Sequence, residues 1–333
     1  MSRQEGEMKK ILLTGAAGFI GSNTATALLG RGDTVVGVDN LNDYYDPARK
    51  QANLDEVRAT APEPGKFIFH RTDIRDEPGI DALFAEHRFD AIIHLAAMAG
   101  VRASIEDPKL YLDVNLGGTL NLLEAAKRYG QPTFVFASTS SVYGRTKVIP
   151  FIESDRADRP LAPYAASKRA AELLGYSYFH LFGQNFTALR FFTVYGRRGR
   201  PDMMAYKVLD NIFQGSEVPL YNNGQMHRDW TYVDDIVLGV LAAADRPLGY
   251  EVINLGRGTP ILLADFVRLI EEEAGKRSNL SDQPMPDADI EYTYANIERA
   301  KELLGYEPTV TVEQGVKELW NWYREANLEA RTR

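Results

Sequence analysis

The first 190 residues alternate short, nearly all-apolar runs with longer amphipathic ones. The apolar runs predict strands at "KILLTG", "TVVGVDN", "KFIFHRTD", "FDAIIHLAA", "TFVFAS" and "FTALRFFTVYG". Helical spacing is found in "FIGSNTATALLGRG", "YLDVNLGGTLNLLEAAKRYG" and "PYAASKRAAELLGYSYFHLFG", the last ending at Gly183. Apolar strands separated by helices indicate a parallel sheet that is buried on both faces. The pattern therefore predicts an α/β fold with a Rossmann-type doubly wound parallel sheet.

Beyond Gly196 the pattern is looser and predicts a second, smaller domain. It predicts a helix at "AYKVLDNIFQG", a strand leading into a helix at "HRDWTYVDDIVLGVLAAADR", a strand at "EVINLGRG" and a final amphipathic helix at "VEQGVKELWNWYREANL". Residues 276–290, with clusters of Pro and Asp, are predicted to be loop. We expect a Rossmann domain over residues 1–190, rejoined by part of residues 228–258, and a smaller α/β substrate-binding domain over residues 191–333, against the carboxyl ends of the strands.

Composition removes several functional classes. The net charge of −8, with no basic stretch to offset it, argues against a nucleic-acid partner. The absence of cysteine excludes disulfides, thiolate zinc sites and cysteine nucleophiles. The polar start "MSRQEGEMKK" has no signal-peptide core, and no apolar run approaches the roughly 18 residues that span a bilayer. We therefore expect a soluble, cytoplasmic protein with no membrane partner.

A glycine-rich turn follows the first strand. "ILLTGAAGFIGS" places Gly15, Gly18 and Gly21 between a strand and a helix, where the backbone can approach a pyrophosphate at the helix N-terminus. Asp39 ends the second strand, eighteen residues beyond Gly21. A carboxylate there accepts the ribose hydroxyls and repels a 2′-phosphate, which predicts NAD rather than NADP. The alternative is that Asp39 is only a turn residue.

Two further strand ends agree with a dinucleotide site. "HRTDIRD" puts Asp73 and Ile74 where an adenine edge and face are expected. "HLAAMAG" ends a strand in Ala96 and Ala97, whose small side chains allow close approach of a phosphate–ribose segment. Ordinary packing at strand ends explains each of these equally well when taken singly.

A tyrosine and a lysine lie four residues apart in "PYAASK", on one face of a predicted helix. Tyr164 alone has a pKa near 10 and is a poor base at neutral pH. The charge of Lys168 at about 6 Å contributes about 3 kcal/mol at an effective dielectric near 20, or roughly two pK units. The pair is therefore a candidate acid/base, although exposed pairs at this spacing are common.

Together these residues resemble the extended short-chain dehydrogenase/reductase family, over essentially the whole chain. The resemblance implies that Tyr164 is the general acid/base, that Lys168 holds the cofactor ribose and tunes the tyrosine, and that Thr139 binds the reacting oxygen. No metal is implied. The predicted NAD-binding residues are Gly15, Gly18, Phe19, Ile20, Gly21, Asp39, Asn40, Asp73, Ile74, Leu95, Ala96, Ala97, Tyr164 and Lys168.

The strand "FVFASTSSVYG" ends in four hydroxyl side chains, Ser138 to Ser141. Within the family, nucleotide-sugar 4,6-dehydratases resemble "T-D-E-V-Y-G" and UDP-glucuronate decarboxylases "S-E-V-Y-G". This chain has Ser140 and Ser141 instead, which hydrogen-bond to a carboxylate but abstract no carbon-bound proton. The row thus favours a 4-epimerase. "GVDNLNDYYD", "HLAAMAGVRASIEDP", "RFFTVYG", "GRPDM" and "HRDWTYVDDIV" resemble UDP-glucuronate 4-epimerases, which work through a transient 4-keto sugar.

The same resemblance implies the contacts to a UDP-sugar. Thr193 stands where epimerases of neutral sugars often have Asn, which favours UDP-glucuronate as the substrate. The predicted substrate-binding residues are Thr139, Ser140, Ser141, Thr193, Arg200, Arg228 and Arg102. Two departures affect the phosphate contacts: Arg197 and Arg198 replace a usual Pro-Trp, and "PMPDADIEYTYAN" lacks the usual Gly-Asp and an arginine.

Broad apolar faces near residues 108–129 and 164–182 imply, by resemblance, a homodimer through a four-helix bundle. Three alternatives stay open at this point. They are a 4-epimerase of a neutral UDP-hexose such as UDP-glucose or UDP-N-acetylglucosamine, a dehydrogenase that releases its cofactor, and a non-catalytic NAD-binding regulator.

Overall fold

The computed structural model describes residues 8–332, with side chains through residue 326. The chain forms two compact units. The first consists of the residues up to 138 together with 163–189 and 240–252, and the second contains 139–162, 190–239 and the residues from 253 onward. Residues 139–162, which the sequence placed in the first domain, thus cluster with the second unit.

The first unit is built on a seven-stranded sheet. Its strands are β1 Lys10–Thr14, β2 Thr34–Asp39, β3 Phe67–Arg71, β4 Ala91–His94, β5 Thr133–Thr139, β6 Phe186–Phe191 and β11 Tyr250–Leu255. They follow the order β11-β6-β5-β4-β1-β2-β3, and each neighbouring pair from β5 to β3 is parallel. The Rossmann-type parallel fold predicted from the apolar runs is confirmed.

Helices flank this sheet. They are α1 Phe19–Arg31, α2 Pro47–Thr60, α3 Glu77–Glu86, α4 Ala103–Glu106, α5 Pro108–Leu112, α6 Gly118–Arg128 and α7 Pro163–Phe182. The core contains Leu12, Ile92 and Phe134, none of which is exposed, and Phe134 stacks on Phe186 with ring centroids 5.2 Å apart. Strands this apolar have no solvated face, which is why their sequences lack polar alternation.

The helix predicted at "YLDVNLGGTLNLLEAAKRYG" is not continuous α-helix. α5 and α6 are joined by a π-helical turn over Asp113–Gly117. Single π-turns are frequent at functional sites.

The predicted strand "FDAIIHLAA" is also shorter than expected, since β4 ends at His94 and leaves Ala96 and Ala97 in the following loop.

The second unit contains short strands and five helical segments. The strands are β7 Thr193–Tyr195, β8 Val218–Tyr221, β9 His227–Arg228, β10 Trp230–Tyr232, β12 Ile261–Leu262 and β13 Leu280–Gln283. The helices are α8 Met204–Gln214, α9 Val233–Ala244 (whose last turn belongs to the first unit), α10 Leu263–Ala274, α11 Glu298–Leu304 and α12 Val312–Thr332. Short 3-10 turns cover Ser140–Tyr143 and Asn222–Gly224.

Two sequence predictions are wrong in this unit. "FTALRFFTVYG" was expected to be one strand, but β6 ends at Phe191 and β7 pairs with β10 in a separate two-stranded sheet. Residues 276–290 were expected to be loop, yet β13 lies within them and pairs in parallel with β8. In both cases the partner strand is distant in sequence, so local composition could not reveal the pairing.

Candidate active site

The glycine turn after β1 is closed tightly against two backbone segments. Gly15 has φ 73°, and its N–H donates to the carbonyl of Val38 at 2.7 Å. A Cβ on Gly15 would lie 2.8 Å from the nitrogen of Ala96, and one on Gly21 would lie 1.9 Å from the Gly15 oxygen. α1 follows Gly18, which has no side chain to cap the helix. The first-turn N–H groups of α1 can therefore bind an anion, as a dinucleotide pyrophosphate requires.

Asp39 ties this turn to the end of β2. Its carboxylate accepts the N–H of Ala17 at 3.2 Å and that of Leu41 at 2.9 Å. Burial raises the pKa of Asp39, while these two hydrogen bonds and the charge of Lys50 oppose that rise. On the other side of the turn, the Asn53 amide donates to the carbonyl of Ala17 at 2.9 Å. No motif singled out Asn53, because α2 lies outside the glycine pattern.

The residues predicted to face adenine are held together at the end of β3. The Asn40 amide donates to the Asp73 carboxylate at 2.9 Å, and Arg75 pairs with the same carboxylate at 2.8 Å. The Arg75 hydrogen bond lowers the pKa of Asp73 to about 2, so this group is ionised at neutral pH. Ile74 is 5% exposed and packs closely against Gly118 of α6.

The loop after β4 adjoins the glycine turn through Thr14. The N–H of Ala96 donates to the Thr14 hydroxyl at 3.2 Å, and the N–H of Leu95 donates to the Thr14 carbonyl at 3.2 Å. The Thr14 hydroxyl also lies 2.7 Å from the Nδ1 of the fully buried His94. The structure thus brings Leu95 and Ala96 against Gly15, as a phosphate–ribose site needs, with Ala97 half-buried next to them.

Lys168 is buried in the first unit and held by the main chain of β5. Its Nζ donates to the carbonyl of Ala137 at 2.8 Å and lies 4.8 Å from the centre of the Phe136 ring. Burial lowers the pKa of Lys168 to about 7, with the charge of Glu172 acting in the opposite direction. The neighbouring Tyr164 presents its ring edge-on to that of Tyr111, with centroids 6.2 Å apart.

A buried carboxylate on the next turn of α7 supports the lysine. Glu172 is fully buried, accepts the Ser138 hydroxyl at 2.5 Å and pairs with Arg169 at 2.8 Å. Ser138, the first of the four hydroxyl residues, is therefore committed to this carboxylate. No motif singled out Glu172, because a glutamate one turn beyond a lysine is typical of a solvated helix face.

A second supporting group comes from the π-helical turn. The Asn115 amide donates to the Ser167 hydroxyl at 2.9 Å, and that hydroxyl donates to the carbonyl of Tyr164 at 2.7 Å. Asn115 is buried, and its side chain also exchanges two hydrogen bonds with the backbone of Met98. It fixes the first turn of α7, which carries Tyr164. Asn115 lies in the π-helical turn. The sequence pattern did not predict that turn, so it gave no indication of a role for Asn115.

In the second unit, Thr139, Ser140 and Ser141 follow one another from the end of β5 into the 3-10 turn. Thr139 is 7% exposed and caps the 3-10 turn, since its hydroxyl accepts the N–H of Ser141 at 3.2 Å. The Thr139 hydroxyl also donates to the Ser141 hydroxyl at 3.2 Å, while both serines are half-buried. Because the Ser141 oxygen acts as the acceptor, its own hydrogen can be donated to a ligand.

The predicted phosphate-binding arginines do not all lie in one unit. Arg102 is exposed in the first unit, just before α4. Arg200 belongs to the second and makes a two-point ion pair with Asp202, with both nitrogen–oxygen distances 2.9 Å. Arg228, on β9, donates to the carbonyl of His227 at 2.9 Å. A phosphate at Arg200 would therefore compete with Asp202 for the same guanidinium edge.

One buried carboxylate binds several loop N–H groups next to Arg228. Asp229, next to Arg228, is fully buried and accepts the N–H groups of Arg257, Gly258 and Ala295 at 2.7, 2.9 and 3.0 Å. The carbonyl of Asp229 accepts the N–H of Thr193, which places that predicted substrate residue on β7.

Arg197, one of the departures noted in the sequence, makes a 2.8 Å ion pair with Asp234 in the first turn of α9. Arg197, which departs from the family pattern, therefore has an ion-pair partner within the second unit.

The NAD dependent epimerase/dehydratase family matches residues 11–256 of this sequence. The chain belongs to this family. A UDP-glucuronate 4-epimerase of Thermodesulfobacterium geofontis is 43% identical over 319 residues, which cover 96% of this chain and 97% of that protein. A UDP-glucuronate 4-epimerase of Arabidopsis thaliana is 41% identical over 94% of this chain and 75% of its own length.

Among solved structures, the UDP-glucuronic acid 4-epimerase of Bacillus cereus with UDP-glucuronic acid and NAD superposes with a TM-score of 0.87. The two chains are 33% identical and are covered over 95% and 99% of their lengths. The UDP-glucose 4-epimerase of Thermotoga maritima reaches the same TM-score at 31% identity over 96% and 99%. Backbone similarity alone therefore does not separate the sugar substrates.

Membership in the epimerase/dehydratase family, together with the glycine turn and Asp39, makes the chain an NAD-dependent enzyme of the epimerase type. The resemblance to extended short-chain dehydrogenases/reductases and the expected cofactor are confirmed. In the part of the chain that the structure describes, no helix is long and apolar enough to cross a membrane. The role of each site residue stays a prediction.

Proposed function

We propose that the chain interconverts UDP-glucuronate and UDP-galacturonate at carbon 4 of the sugar, with NAD bound in the first unit and the nucleotide sugar bound by residues of the second. The observation that carries this proposal is the run of hydroxyl residues Thr139-Ser140-Ser141, in which the Thr139 hydroxyl donates to that of Ser141. Dehydratase and decarboxylase motifs have carboxylates at these positions, whereas this run offers only neutral donors. Sequence identity of 43% to a UDP-glucuronate 4-epimerase supports the same substrate.

Tyr164 is the group that moves the proton of the 4-hydroxyl in this proposal. The helical turn that carries Tyr164 is fixed by Asn115 and Ser167, which anchors the backbone of this residue. A protonated Lys168 stabilises the phenolate, and the buried carboxylate of Glu172 favours that protonated form. When bound, NAD supplies reversible transfer of the hydride at carbon 4.

The serines hold the substrate carboxylate. A 4-keto uronate is a β-keto acid, which loses carbon dioxide when the breaking bond aligns with the π-system of the ketone. Hydrogen bonds from Ser140 and Ser141 keep the carboxylate near the plane of the ketone and deny that alignment. Thr139 differs in role, since it contacts the reacting oxygen.

A neutral UDP-hexose is the second candidate substrate. The Thermotoga maritima UDP-glucose 4-epimerase matches the fold as closely as the uronate enzyme does. Thr193 supports the uronate, because its hydroxyl adds a donor near β7 where neutral-sugar epimerases often have an amide.

The testing experiment is an NMR time course of the purified protein with UDP-glucuronate and no added reductant. We expect UDP-galacturonate to form without net NADH absorbance and with little UDP-pentose. UDP-glucose in a parallel sample should react more slowly. Accumulation of UDP-xylose or a 4-keto pentose would overturn the epimerase assignment in favour of decarboxylation.

The proposal includes a homodimer formed by α6 and α7. These helices expose large apolar side chains, with Leu120 40%, Leu173 53% and Tyr176 51% exposed. Such side chains at helical spacing are typical of an interface. Light scattering should give twice the chain mass, and Leu173→Glu should produce monomer. A monomeric wild type would contradict this part of the proposal.

A further inference from the structure

Two histidines and a glutamate of the first unit converge beside the edge strand of the sheet. His70 lies on β3, the last strand of the sheet, while Glu86 ends α3 and His87 follows it. Their candidate ligand atoms all lie within 4.8 Å of one another. The imidazole rings are 5.8 Å apart and inclined at 68°, so they do not stack. Nothing in the proposed reaction uses these groups.

The ring nitrogens facing this cluster have unmet hydrogen-bonding capacity. Within residues 8–326, the Nε2 atoms of both His70 and His87 are buried and lack any hydrogen-bond partner. His87 is only 7% exposed, and its Nε2 lies 3.7 Å from a Glu86 oxygen, which is too long for a hydrogen bond. Buried polar atoms are nearly always satisfied, so two such nitrogens in one place point to a partner that both can contact.

We propose that His70, His87 and Glu86 bind a divalent transition-metal ion, with Zn²⁺ as the fitting ion. Two imidazole nitrogens and one carboxylate form a common three-ligand zinc set, with a fourth position left for water. Ligand atoms on one zinc are separated by about 3.4 Å, given bonds of about 2.0–2.1 Å. The Glu86 side chain is 63% exposed and can move inward to close the difference.

The ion would join the edge strand β3 to the end of α3 and the residue that follows it.

The test uses the untagged full-length chain, freed of metal with a chelator and titrated with Zn²⁺ at pH 7. We expect saturation at one ion per chain and a higher melting temperature. His70→Gln and Glu86→Gln should each weaken binding about tenfold or more and reduce the thermal shift. Glu302→Gln, an exposed glutamate on α11, is the matched carboxylate control and should bind as wild type does. Mg²⁺, which prefers oxygen ligands, should not compete.

The chain has five histidines, so the imidazole NMR signals of His70 and His87 can be followed beside three internal references. In side-chain NMR spectra of ¹⁵N-histidine protein, Zn²⁺ should shift two imidazoles strongly and leave His94, His180 and His227 nearly unchanged. His87→Gln removes a buried ring and can unfold the chain, so the half-buried His70 and exposed Glu86 carry the test. No saturable binding, or binding unaffected in both variants, would overturn the proposal. The epimerase assay is independent of either result.

Discussion

The Ser138 hydroxyl donates to the Glu172 carboxylate across 2.5 Å, at the end of β5 and four residues beyond Lys168 in α7. This bond keeps a negative charge buried one helical turn from Lys168, whose protonated form it favours. A carboxylate in such a position needs partners to offset its lost hydration, and Ser138 and Arg169 supply them.

Glu172→Gln should therefore impair catalysis through the lysine. The change keeps the side-chain shape but removes the charge that raises the pKa of Lys168, so that pKa should fall below 7. With less positive charge nearby, the phenol of Tyr164 ionises at higher pH, and the pH profile of kcat should shift upward. Arg169→Gln is the control, because it breaks the same ion pair but leaves the carboxylate. Equal shifts in both variants would assign the effect to the ion pair alone.

Lys168→Met should stabilise the NAD-free protein below neutral pH. The folded-state pKa of about 7 lies below the value of about 10.4 for an unfolded lysine, so folding expels a proton. The resulting cost is fully present below pH 7, shrinks as pH rises and vanishes above about 10.4. We expect a gain of roughly 2–4 kcal/mol in the free energy of unfolding at pH 7. Urea unfolding at pH 6 and pH 9.5 measures it, and a loss at both values contradicts the prediction.

Tyr164→Phe should separate chemistry from binding. The substitution keeps the ring against Tyr111 and deletes only the hydroxyl. Turnover of UDP-glucuronate should fall about 100-fold or more, the range for lost acid/base catalysis, while substrate affinity is retained. Single-turnover kinetics together with calorimetric binding distinguish the two effects. Near-normal turnover would remove Tyr164 from the mechanism.

Asp39→Asn should relax the choice of cofactor. The N–H groups of Ala17 and Leu41 bond to different oxygens of the Asp39 carboxylate, so asparagine, with one side-chain oxygen, keeps one of the two hydrogen bonds. The lost charge no longer repels a 2′-phosphate, and the ratio of NADP to NAD affinity should rise about tenfold or more. Asp39→Ala, which also loses both hydrogen bonds, should weaken the two cofactors together. Equal binding of both cofactors by wild type would refute the role of Asp39.

Ser140→Ala and Ser141→Ala should each affect only the uronate. Loss of one hydrogen bond to a carboxylate should weaken UDP-glucuronate binding by about 1–2 kcal/mol and leave UDP-glucose nearly unchanged. The fraction of turnovers that end in UDP-pentose should rise. Thr139→Val should instead lower turnover of both sugars. Equal losses for the two sugars in the serine variants, without added decarboxylation, would make the serines structural.

Local sequence was sufficient to predict those elements whose burial and backbone shape follow from their own residues. The residues of β1 after Lys10 are completely buried, so an apolar run alone identified the strand. The glycine turn was equally clear, because only glycine fits at Gly15 and Gly21. Lys168 was found through its spacing to Tyr164, although its burial and lowered pKa were not.

The residues that sequence missed depend on distant contacts. Asn53, Asn115 and Glu172 are polar residues on helices, where the pattern predicts solvent-facing positions. Each is instead buried and bonded to a segment far along the chain. The break after β6 has the same origin. The N–H of Phe192 bonds to Leu255 and that of Thr193 bonds to Asp229, so the chain changes partners within one residue.

A buried lysine whose pKa is lowered to about 7 links ligand binding to proton uptake. A ligand whose hydroxyl oxygens accept hydrogen bonds from Lys168 favours the ammonium form, so binding should draw a fraction of a proton from solution near pH 7. The heat measured by calorimetry should then vary with the ionisation enthalpy of the buffer. Phosphate and Tris would report different apparent enthalpies for the same complex, and Lys168→Met would abolish the difference.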